Sequence, residues 1–285
     1  MQPTHYYVDL STGIRAHYLR WGDGTKQPIL LAHATGFLAA LWAPIAEQLS
    51  DQYTVIAPDA RGHGDSDKPD VDGEAYDWHR LVEDHEALLS ELRLHRIPFV
   101  GHSAGAAVGM YIAAKHPQYY SRIVAIEPII MPGGVKPDEA RRTQMAEGAR
   151  KRRSVFASVD EMFEQYRERS LFDRWPDDVL RLYCETGSFT REDGQMQLKC
   201  PPEVEGALFA NSGSLDAWRV LPDVAVPTLV VRGTETEPFL SMTAASVAER
   251  LPAGRLETVE GVGHLLPMED PERVTETVLG FLRDG

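Results

Sequence analysis

The stretch Ile97-Pro98-Phe99-Val100-Gly101-His102-Ser103-Ala104-Gly105-Ala106-Ala107-Val108 places an apolar run, a serine between two glycines and a run of small residues in direct succession. The apolar run predicts a short buried strand, and the small residues predict a helix. Gly101 and Gly105 favour a tight turn between the two, because they remove Cβ atoms that would clash with the neighbouring strand and helix. The stretch therefore predicts a strand, a sharp turn with Ser103 at its tip, and a helix.

Ser103 is the centre of a G-x-S-x-G motif, which is weak evidence alone because glycine and serine are common. The strand before it and the helix after it make the motif specific. At the carboxyl edge of a sheet and the N-terminus of a helix, the hydroxyl lies where the helix field favours developing negative charge. This placement predicts a nucleophile; the alternative is a serine that only caps the helix.

A serine hydroxyl becomes a good nucleophile only when a base takes its proton. His264 ends the run Gly261-Val262-Gly263-His264, after the last predicted strand and before the last predicted helix. A loop at that place returns to the sheet edge that carries Ser103. We therefore expect His264 to be the base; the alternative is a loop histidine that bonds only a backbone carbonyl.

Short aliphatic runs alternate with amphipathic, helix-length segments along most of the chain. A hairpin is predicted around Ser11-Thr12-Gly13, joining residues 5–10 and 14–20. The predicted buried strands are Ile29 to Ala32, Thr54 to Ala57, Ile97 to Val100, Ile123 to Ile126, Thr228 to Val231 and Leu256 to Val259. The predicted helices are 78–92, 104–116, 243–251 and 271–283. Strands that alternate with helices predict an α/β fold with a mostly parallel sheet and helices on both faces.

Residues 133–216 break this alternation. The segment opens with Pro132-Gly133-Gly134, is rich in arginine, glutamate and aromatic residues, and has a mainly helical pattern. We predict that it is a helical cap inserted between two strands of the main sheet. Residues 1–132 and 217–285 would then form the core domain.

Three further motifs carry a resemblance to the α/β-hydrolase superfamily, in its serine-nucleophile, esterase- and lipase-like branch. His33-Ala34-Thr35-Gly36-Phe37 resembles the family's His-Gly loop, Asp59 to Pro69 resembles its D-x-R-G-x-G-x-S turn, and Gly261 to His264 fits its terminal motif. The resemblance covers nearly the whole chain. It implies the α/β-hydrolase fold and no cofactor.

The resemblance also implies an oxyanion hole made of two backbone N–H groups. One would belong to Ala104, directly after the nucleophile, and the other to Thr35, with Gly36 as the near alternative. Ala34 stands where the family usually has glycine, which alters the backbone freedom of this loop.

The acid that completes the site is not at its usual place. The family usually has an aspartate three residues after a glycine that ends a late strand, and here that position, after Gly233, holds Thr236. One alternative is that Glu235 or Glu237 reaches the histidine. The other is Glu127, in Ile126-Glu127-Pro128, which resembles the post-strand glutamate of haloalkane dehalogenases. We favour Glu127, because a carboxylate at the end of a buried strand is costly to bury without a partner.

Composition restricts the partners. The formal net charge of −14 argues against nucleic acids or anionic membranes as partners, and no segment is apolar enough to span a bilayer. We expect the basic run 150–153 to be a solvated helix face, Cys184 and Cys200 to be reduced, and the protein to be cytoplasmic. No His, Cys or Asp cluster shows metal-ligand spacing, so no metal is expected. The sequence does not distinguish a monomer from a homo-oligomer.

These observations predict a serine hydrolase that cleaves a small-molecule carboxylic ester through an acyl-enzyme. Lactone, amide or C–C hydrolysis, acyl transfer and perhydrolysis would use the same residues, and a non-catalytic small-molecule receptor is the alternative outside enzymes. Phe37, Trp42 and His102 are candidates for the substrate pocket. For the aromatic residues, packing in the core or the cap is the competing interpretation. Other aromatic candidates with the same ambiguity are Trp175, Phe189, Phe209 and Trp218.

Overall fold

The computed structural model describes residues 2–133 and 139–283 of the 285-residue chain. Its strands are β1 (Thr4–Asp9), β2 (Arg15–Trp21), β3 (Pro28–Ala32), β4 (Thr54–Pro58), β5 (Ile97–His102), β6 (Tyr120–Ile126), β7 (Val155–Phe156), β8 (Ser188–Thr190), β9 (Met196–Leu198), β10 (Thr228–Gly233) and β11 (Gly254–Val259). In this part of the chain, the main sheet has eight strands in the order β1-β2-β4-β3-β5-β6-β10-β11. The pairs β1–β2 and β2–β4 are antiparallel and the other five pairs of this sheet are parallel, so the sheet is mostly parallel, as predicted.

Helices connect and cover these strands. They are α1 (Ala43–Leu49), α2 (Trp78–Glu91), α3 (Ala104–Lys115), α4 (Glu139–Arg150), α5 (Val159–Arg167), α6 (Asp177–Thr186), α7 (Pro202–Ala210), α8 (Ala217–Val220), α9 (Pro238–Arg250), α10 (Leu266–Glu269) and α11 (Pro271–Arg283). Every predicted strand and helix is present, but β11, predicted to be buried, is mostly exposed because it is an edge strand of the sheet. Helix α9 begins five residues earlier than predicted, at Pro238, because proline is well suited to a first helical turn.

Alternate residues of the buried strands supply the two faces of the sheet. Ile29 and Leu31 pack in a cluster with residues of α1 and α11. Leu30, between them, packs in a second cluster with residues of α2, α3 and α9. Because successive side chains of a strand point to opposite faces, one aliphatic run contributes to both cores. This explains why the central strands are continuously apolar.

The segment between β6 and β10 packs against two loops at the carboxyl edge of the sheet. Leu38 and Leu41, after β3, and Leu265 and Met268, after β11, share a buried cluster with aromatic and aliphatic residues of α5 and α6. The segment also contains a three-stranded antiparallel sheet of β7, β9 and β8, which its helical pattern did not predict. These strands have only two or three residues each, too few to show an alternating pattern. The predicted boundary at 132–133 lies beside residues 134–138, which are outside the described residues.

Both cysteines are buried and unpaired, as expected. No helix in residues 2–133 and 139–283 has the length and apolar character needed to span a membrane.

Candidate active site

Ser103 lies at the junction of β5 and α3, where the sequence predicts a tight turn. Its backbone has φ 54° and ψ −114°, and residues other than glycine rarely adopt a positive φ. The Ser103 N–H donates to the Ile126 carbonyl at the end of β6, 2.9 Å away. The strained turn is therefore held by the neighbouring strand, as strain at functional sites usually is.

The two glycines of the motif are required by close packing. A Cβ on Gly101 would lie 2.6 Å from Ala106 Cα, and a Cβ on Gly105 would lie 2.6 Å from the Ala32 carbonyl oxygen. Both distances are shorter than real Cβ contacts allow. The helix can therefore begin this close to the sheet only when neither position has a side chain.

His264 lies between Ser103 and Glu127. Its Nε2 is 3.2 Å from Ser103 Oγ, and its Nδ1 is 3.3 Å from Glu127 Oε2. The Ser103 residue is 7% exposed and the His264 side chain is 27% exposed. The three side chains predicted from the sequence thus form one chain of contacts, with the imidazole in the middle and accessible from outside.

Glu127 follows β6 directly and is held by two neighbouring elements. Its own N–H donates to the Val231 carbonyl on β10, and its φ of 48° turns the chain sharply at this point. Its Oε1 accepts hydrogen bonds from the Gly233 N–H, at 2.8 Å, and from Thr236 Oγ1, at 2.6 Å. These donors satisfy one oxygen of a carboxylate whose side chain is only 1% exposed, and the other oxygen faces His264.

Glu235 and Glu237, the alternative acids, lie elsewhere. Glu235 pairs with Arg174 at 3.3 Å and its side chain is 47% exposed. Glu237 pairs with Arg141, and its side chain is even more exposed. Among the described residues, neither carboxylate has a hydrogen bond or an ion pair with His264. Both glutamate side chains instead pair with arginines of the segment between β6 and β10.

His102 is fully buried and bonds the loop that carries the candidate base. Its Nε2 donates to the His264 carbonyl over 2.8 Å. Burial, followed by the neighbouring His264, lowers the pKa of His102 to about 3, so its ring is neutral near pH 7. The hydrogen bond of His102 is thus made to the backbone of His264, and it holds the loop that carries the imidazole. Trp42, also expected in the pocket, packs in the core between the sheet, α1 and α11.

The loop after β3 is held by two neutral histidines. The Gly36 N–H donates to His63 Nε2 at 2.9 Å, and His63 Nδ1 donates to the Arg61 carbonyl at 3.0 Å. Burial, followed by the neighbouring His33, lowers the pKa of His63 to about 3, which keeps Nε2 available as an acceptor. On the opposite side, the Ala60 N–H donates to His33 Nε2. This role of His63 was not predicted, since only its place in a family-like turn was visible.

These bonds distinguish the candidate oxyanion donors. The Gly36 amide is already used by His63. Among the described residues, no acceptor bonds the amide of Thr35 or of Ala104. Ala104 directly follows Ser103, and Thr35 and Ala104 line the same cavity. A pair of free N–H groups beside a nucleophile is the arrangement that stabilises a developing oxyanion.

The segment between β6 and β10 contacts the same loop. Tyr183 OH donates to the Gly36 carbonyl at 3.4 Å, and Phe37 packs against Trp175 and Tyr183. Arg152, expected on a solvated face, has a side chain only 15% exposed and pairs with Glu205 at 2.9 Å. The expectation for the basic run is thus wrong at Arg152, because its partner Glu205 lies on α7, 53 positions later in the chain, where no local pattern shows it.

The chain belongs to the alpha/beta hydrolase family, whose model matches residues 29–277. It is 30% identical over 268 residues to the 2-(acetamidomethylene)succinate hydrolase of Mesorhizobium japonicum, with 91% of this chain and 89% of that protein covered. It is 27% identical to epoxide hydrolase A of Mycobacterium tuberculosis over an alignment of 316 positions, which covers 98% and 97% of the two chains. The crystal structure of an E-2-(acetamidomethylene)succinate hydrolase matches the fold with a TM-score of 0.83 at 23% identity, over 99% of both chains.

Proposed function

We propose that this protein is a serine hydrolase that cleaves a carboxylic ester, or a related acyl bond, through an acyl-enzyme intermediate. The proposal rests on one observation: the His264 imidazole lies 3.2 Å from Ser103 Oγ and 3.3 Å from Glu127 Oε2. A base between a hydroxyl nucleophile and a buried carboxylate is the arrangement that activates serine for acyl transfer.

In the first half of the reaction, His264 Nε2 takes the proton of Ser103 Oγ as the oxygen attacks the acyl carbon. Glu127 stabilises the imidazolium and keeps the remaining proton on Nδ1. The amides of Thr35 and Ala104 donate to the oxyanion of the tetrahedral intermediate. His264 then gives its proton to the leaving oxygen, the bond to the alcohol breaks, and the acyl group remains on Ser103.

In the second half, water takes the place of the alcohol. His264 removes a proton from the water, which attacks the acyl carbon, and the second tetrahedral intermediate is held by the same two amides. When it collapses, the carboxylic acid leaves and Ser103 Oγ recovers its proton from His264. Neither half uses a metal or cofactor.

The relatives support a hydrolase and leave the scissile bond open. The name of the Mesorhizobium relative specifies an N-acyl substrate with two carboxylates, and an amide is an acyl bond that the same residues can cleave. Epoxide opening, the activity in the name of the Mycobacterium relative, uses a carboxylate nucleophile in related proteins, and Ser103 argues against it here. Lactone and C–C hydrolysis, acyl transfer and perhydrolysis remain alternatives with these residues. An intact nucleophile and base argue against a non-catalytic receptor.

We further propose that residues 133–216 form the cap and that Phe37 lines the acyl pocket beneath it. The contacts of Tyr183 and Trp175 with the loop after β3 support this. Because the segment covers the loops on both sides of Ser103, its residues would select a small-molecule substrate. Two buried free thiols are consistent with the cytoplasmic location expected from the sequence.

The proposal is tested by active-site labelling and by hydrolysis of a substrate panel. A fluorophosphonate probe should label the wild-type protein and fail to label Ser103→Ala, with Ser11→Ala as the labelled control. The panel contains p-nitrophenyl esters of increasing acyl length, a lactone and 2-(acetamidomethylene)succinate. Turnover of an ester supports the proposed reaction, and turnover only of the lactone or the N-acyl compound moves the protein to that class. A folded wild-type protein that is neither labelled nor active would contradict the proposal.

A further inference from the structure

The hairpin of β1 and β2 brings two histidines together on one face. His5 is diagonal to His17 across the strand pair, because Leu19 is directly opposite His5 and Tyr7 directly opposite His17. His5 Nδ1 and His17 Nε2 are 2.9 Å apart.

A carboxylate comes from the loop after β4. One oxygen of Asp65 and the two histidine nitrogens all lie within 4.8 Å of one another. Among the described residues, this is the one group of His, Cys, Asp or Glu whose ligand atoms converge in this way. Positions 5, 17 and 65 have no metal-ligand spacing in the sequence and meet only through the hairpin and the β4 loop.

Asp59 fixes the tautomer of His17. Its Oδ2 is 2.6 Å from His17 Nδ1, and the carboxylate also accepts from the Ala39 and Asp65 N–H groups. This carboxylate keeps the His17 proton on Nδ1 and leaves a lone pair on Nε2, facing His5. A carboxylate behind a histidine is the usual support of a metal ligand.

We propose that His5 Nδ1, His17 Nε2 and an Asp65 oxygen bind a divalent metal ion of the zinc class, with water in the fourth position. Two imidazoles and a carboxylate form a ligand set that zinc accepts, at distances of about 2.0 to 2.2 Å. In a tetrahedral site, two such nitrogens lie about 3.3 Å apart. The two nitrogens, now 2.9 Å apart, must therefore separate by a few tenths of an ångström, and the exposed His5 is the residue that can move. His5 Nδ1 donates to His17 Nε2 in the absence of the ion. Because His5 is exposed, its proton can shift to Nε2, which leaves Nδ1 to bind the metal.

Lys199 competes with the ion. Its Nζ is 2.7 Å from Asp65 Oδ2, so the ion must bind the other oxygen or displace the ammonium. The ion would join the hairpin to the β4 loop, and it stands apart from the proposed reaction, which needs no metal. We expect it to stabilise the fold without changing ester turnover.

The experiment is a zinc titration of tag-free, full-length protein freed of metal with EDTA and dialysed. Calorimetry should give one saturable equivalent of ZnCl₂, and the melting temperature should rise by about 5 °C at saturation. His5→Ala removes an exposed ligand without opening the core and should weaken binding more than about tenfold. His95→Ala removes another exposed histidine and should bind as wild type does. Lys199→Gln should tighten binding by removing the competing cation.

No saturable binding to the wild-type protein would overturn the proposal, and so would equal affinity in His5→Ala. Affinity in Asp65→Asn equal to that of the wild type would remove Asp65 from the ligand set. Because the readouts are binding and melting temperature, their outcome is independent of whether the protein hydrolyses esters.

Discussion

Thr236 Oγ1 donates a hydrogen bond of 2.6 Å to Glu127 Oε1, the carboxylate whose other oxygen faces His264. Thr236 stands where α/β-hydrolases usually have the acid itself. We propose that the acid of this chain is Glu127, at the end of the neighbouring strand β6, and that Thr236 supplies a donor that holds its carboxylate. Two strands of the sheet thus meet at one carboxylate.

The role of Glu127 is tested by Glu127→Gln. A glutamine presents an N–H to His264 Nδ1, favours the wrong tautomer and removes the charge that stabilises the imidazolium, so kcat should fall by about 10⁴-fold. The measurement is ester turnover together with circular dichroism. Glu235→Gln, which breaks only an exposed ion pair with Arg174, should keep wild-type activity. Activity within a few-fold of wild type in Glu127→Gln would exclude it as the triad acid.

Thr236→Val removes a hydrogen bond to a buried carboxylate without changing side-chain size. The free energy of unfolding should fall by about 1.5–3 kcal/mol, and kcat should fall about tenfold as Glu127 loses its position. Chemical denaturation and turnover measure the two effects. Thr277→Val removes a similar bond, of 2.8 Å, to the exposed Glu257 and should cost less than about 0.5 kcal/mol. Equal losses in the two variants would contradict the proposed support of Glu127.

We also expect that a carboxylate at position 236 can replace that of Glu127. Because Thr236 Oγ1 touches Glu127 Oε1, an aspartate at 236 can place a charge near the His264 imidazole. Thr236→Asp in the Glu127→Gln background should therefore recover at least about tenfold of the lost kcat. In the wild-type background the same change should lower activity, since two carboxylates would share one site. No recovery in the double variant would show that position 236 does not reach the imidazole.

Gly36→Ala tests the loop that carries the proposed oxyanion donor. Gly36 has φ +84°, and a Cβ there would lie 2.4 Å from Glu205 Oε1. We expect a loss of about 1–2 kcal/mol in unfolding free energy from the backbone alone, and a fall in kcat as the Thr35 amide shifts. Gly148→Ala, on α4 with open space around it, should raise stability by up to about 1 kcal/mol. If Gly36→Ala kept full activity, the loop would not position an oxyanion donor.

Acid should destabilise the fold through its buried histidines. Burial lowers the pKa of His85 to about 4, and burial with a neighbouring histidine lowers those of His63 and His102 to about 3. Between pH 6.5 and these values the unfolded chain binds more protons, so stability falls as pH falls, by about 1.4 kcal/mol per pH unit for each histidine. Urea denaturation at about pH 7 and about pH 5 measures the change. In His85→Gln the loss should be smaller by about 2 kcal/mol.

The matched control for this pH effect is His95→Gln. His95 is exposed, and its removal should leave the pH dependence of stability as it is in the wild type. An equal pH dependence in wild type and His85→Gln would mean that His85 is not held neutral by the fold.

The strands, the helices and the turn at Ser103 could be predicted because each depends on residues that are close together in the sequence. The aliphatic runs became β3 to β6 and β10, since a continuous apolar run of that length fits a strand buried on both faces. The run from Leu256 to Val259 also forms a strand, but β11 lies at the edge of the sheet and is mostly exposed. The turn at Ser103 was visible because its glycines, strand and helix are adjacent in the chain. The wrong prediction for Arg152 has the same cause. Its neighbours in the sequence predict a solvated side chain, whereas its partner Glu205 lies on another helix.

The sequence by itself therefore determined the order of strands and helices, the tip position of Ser103 and the loop position of His264, since each depends on residues a few positions apart. Only the tertiary structure decided which carboxylate faces His264, which amides stay free beside Ser103, and that His5 and Asp65 meet. Glu127 is held by Gly233, 106 positions later, and Gly36 by His63, 27 positions later. Such contacts follow from strand order and side-chain packing, and no local pattern encodes them.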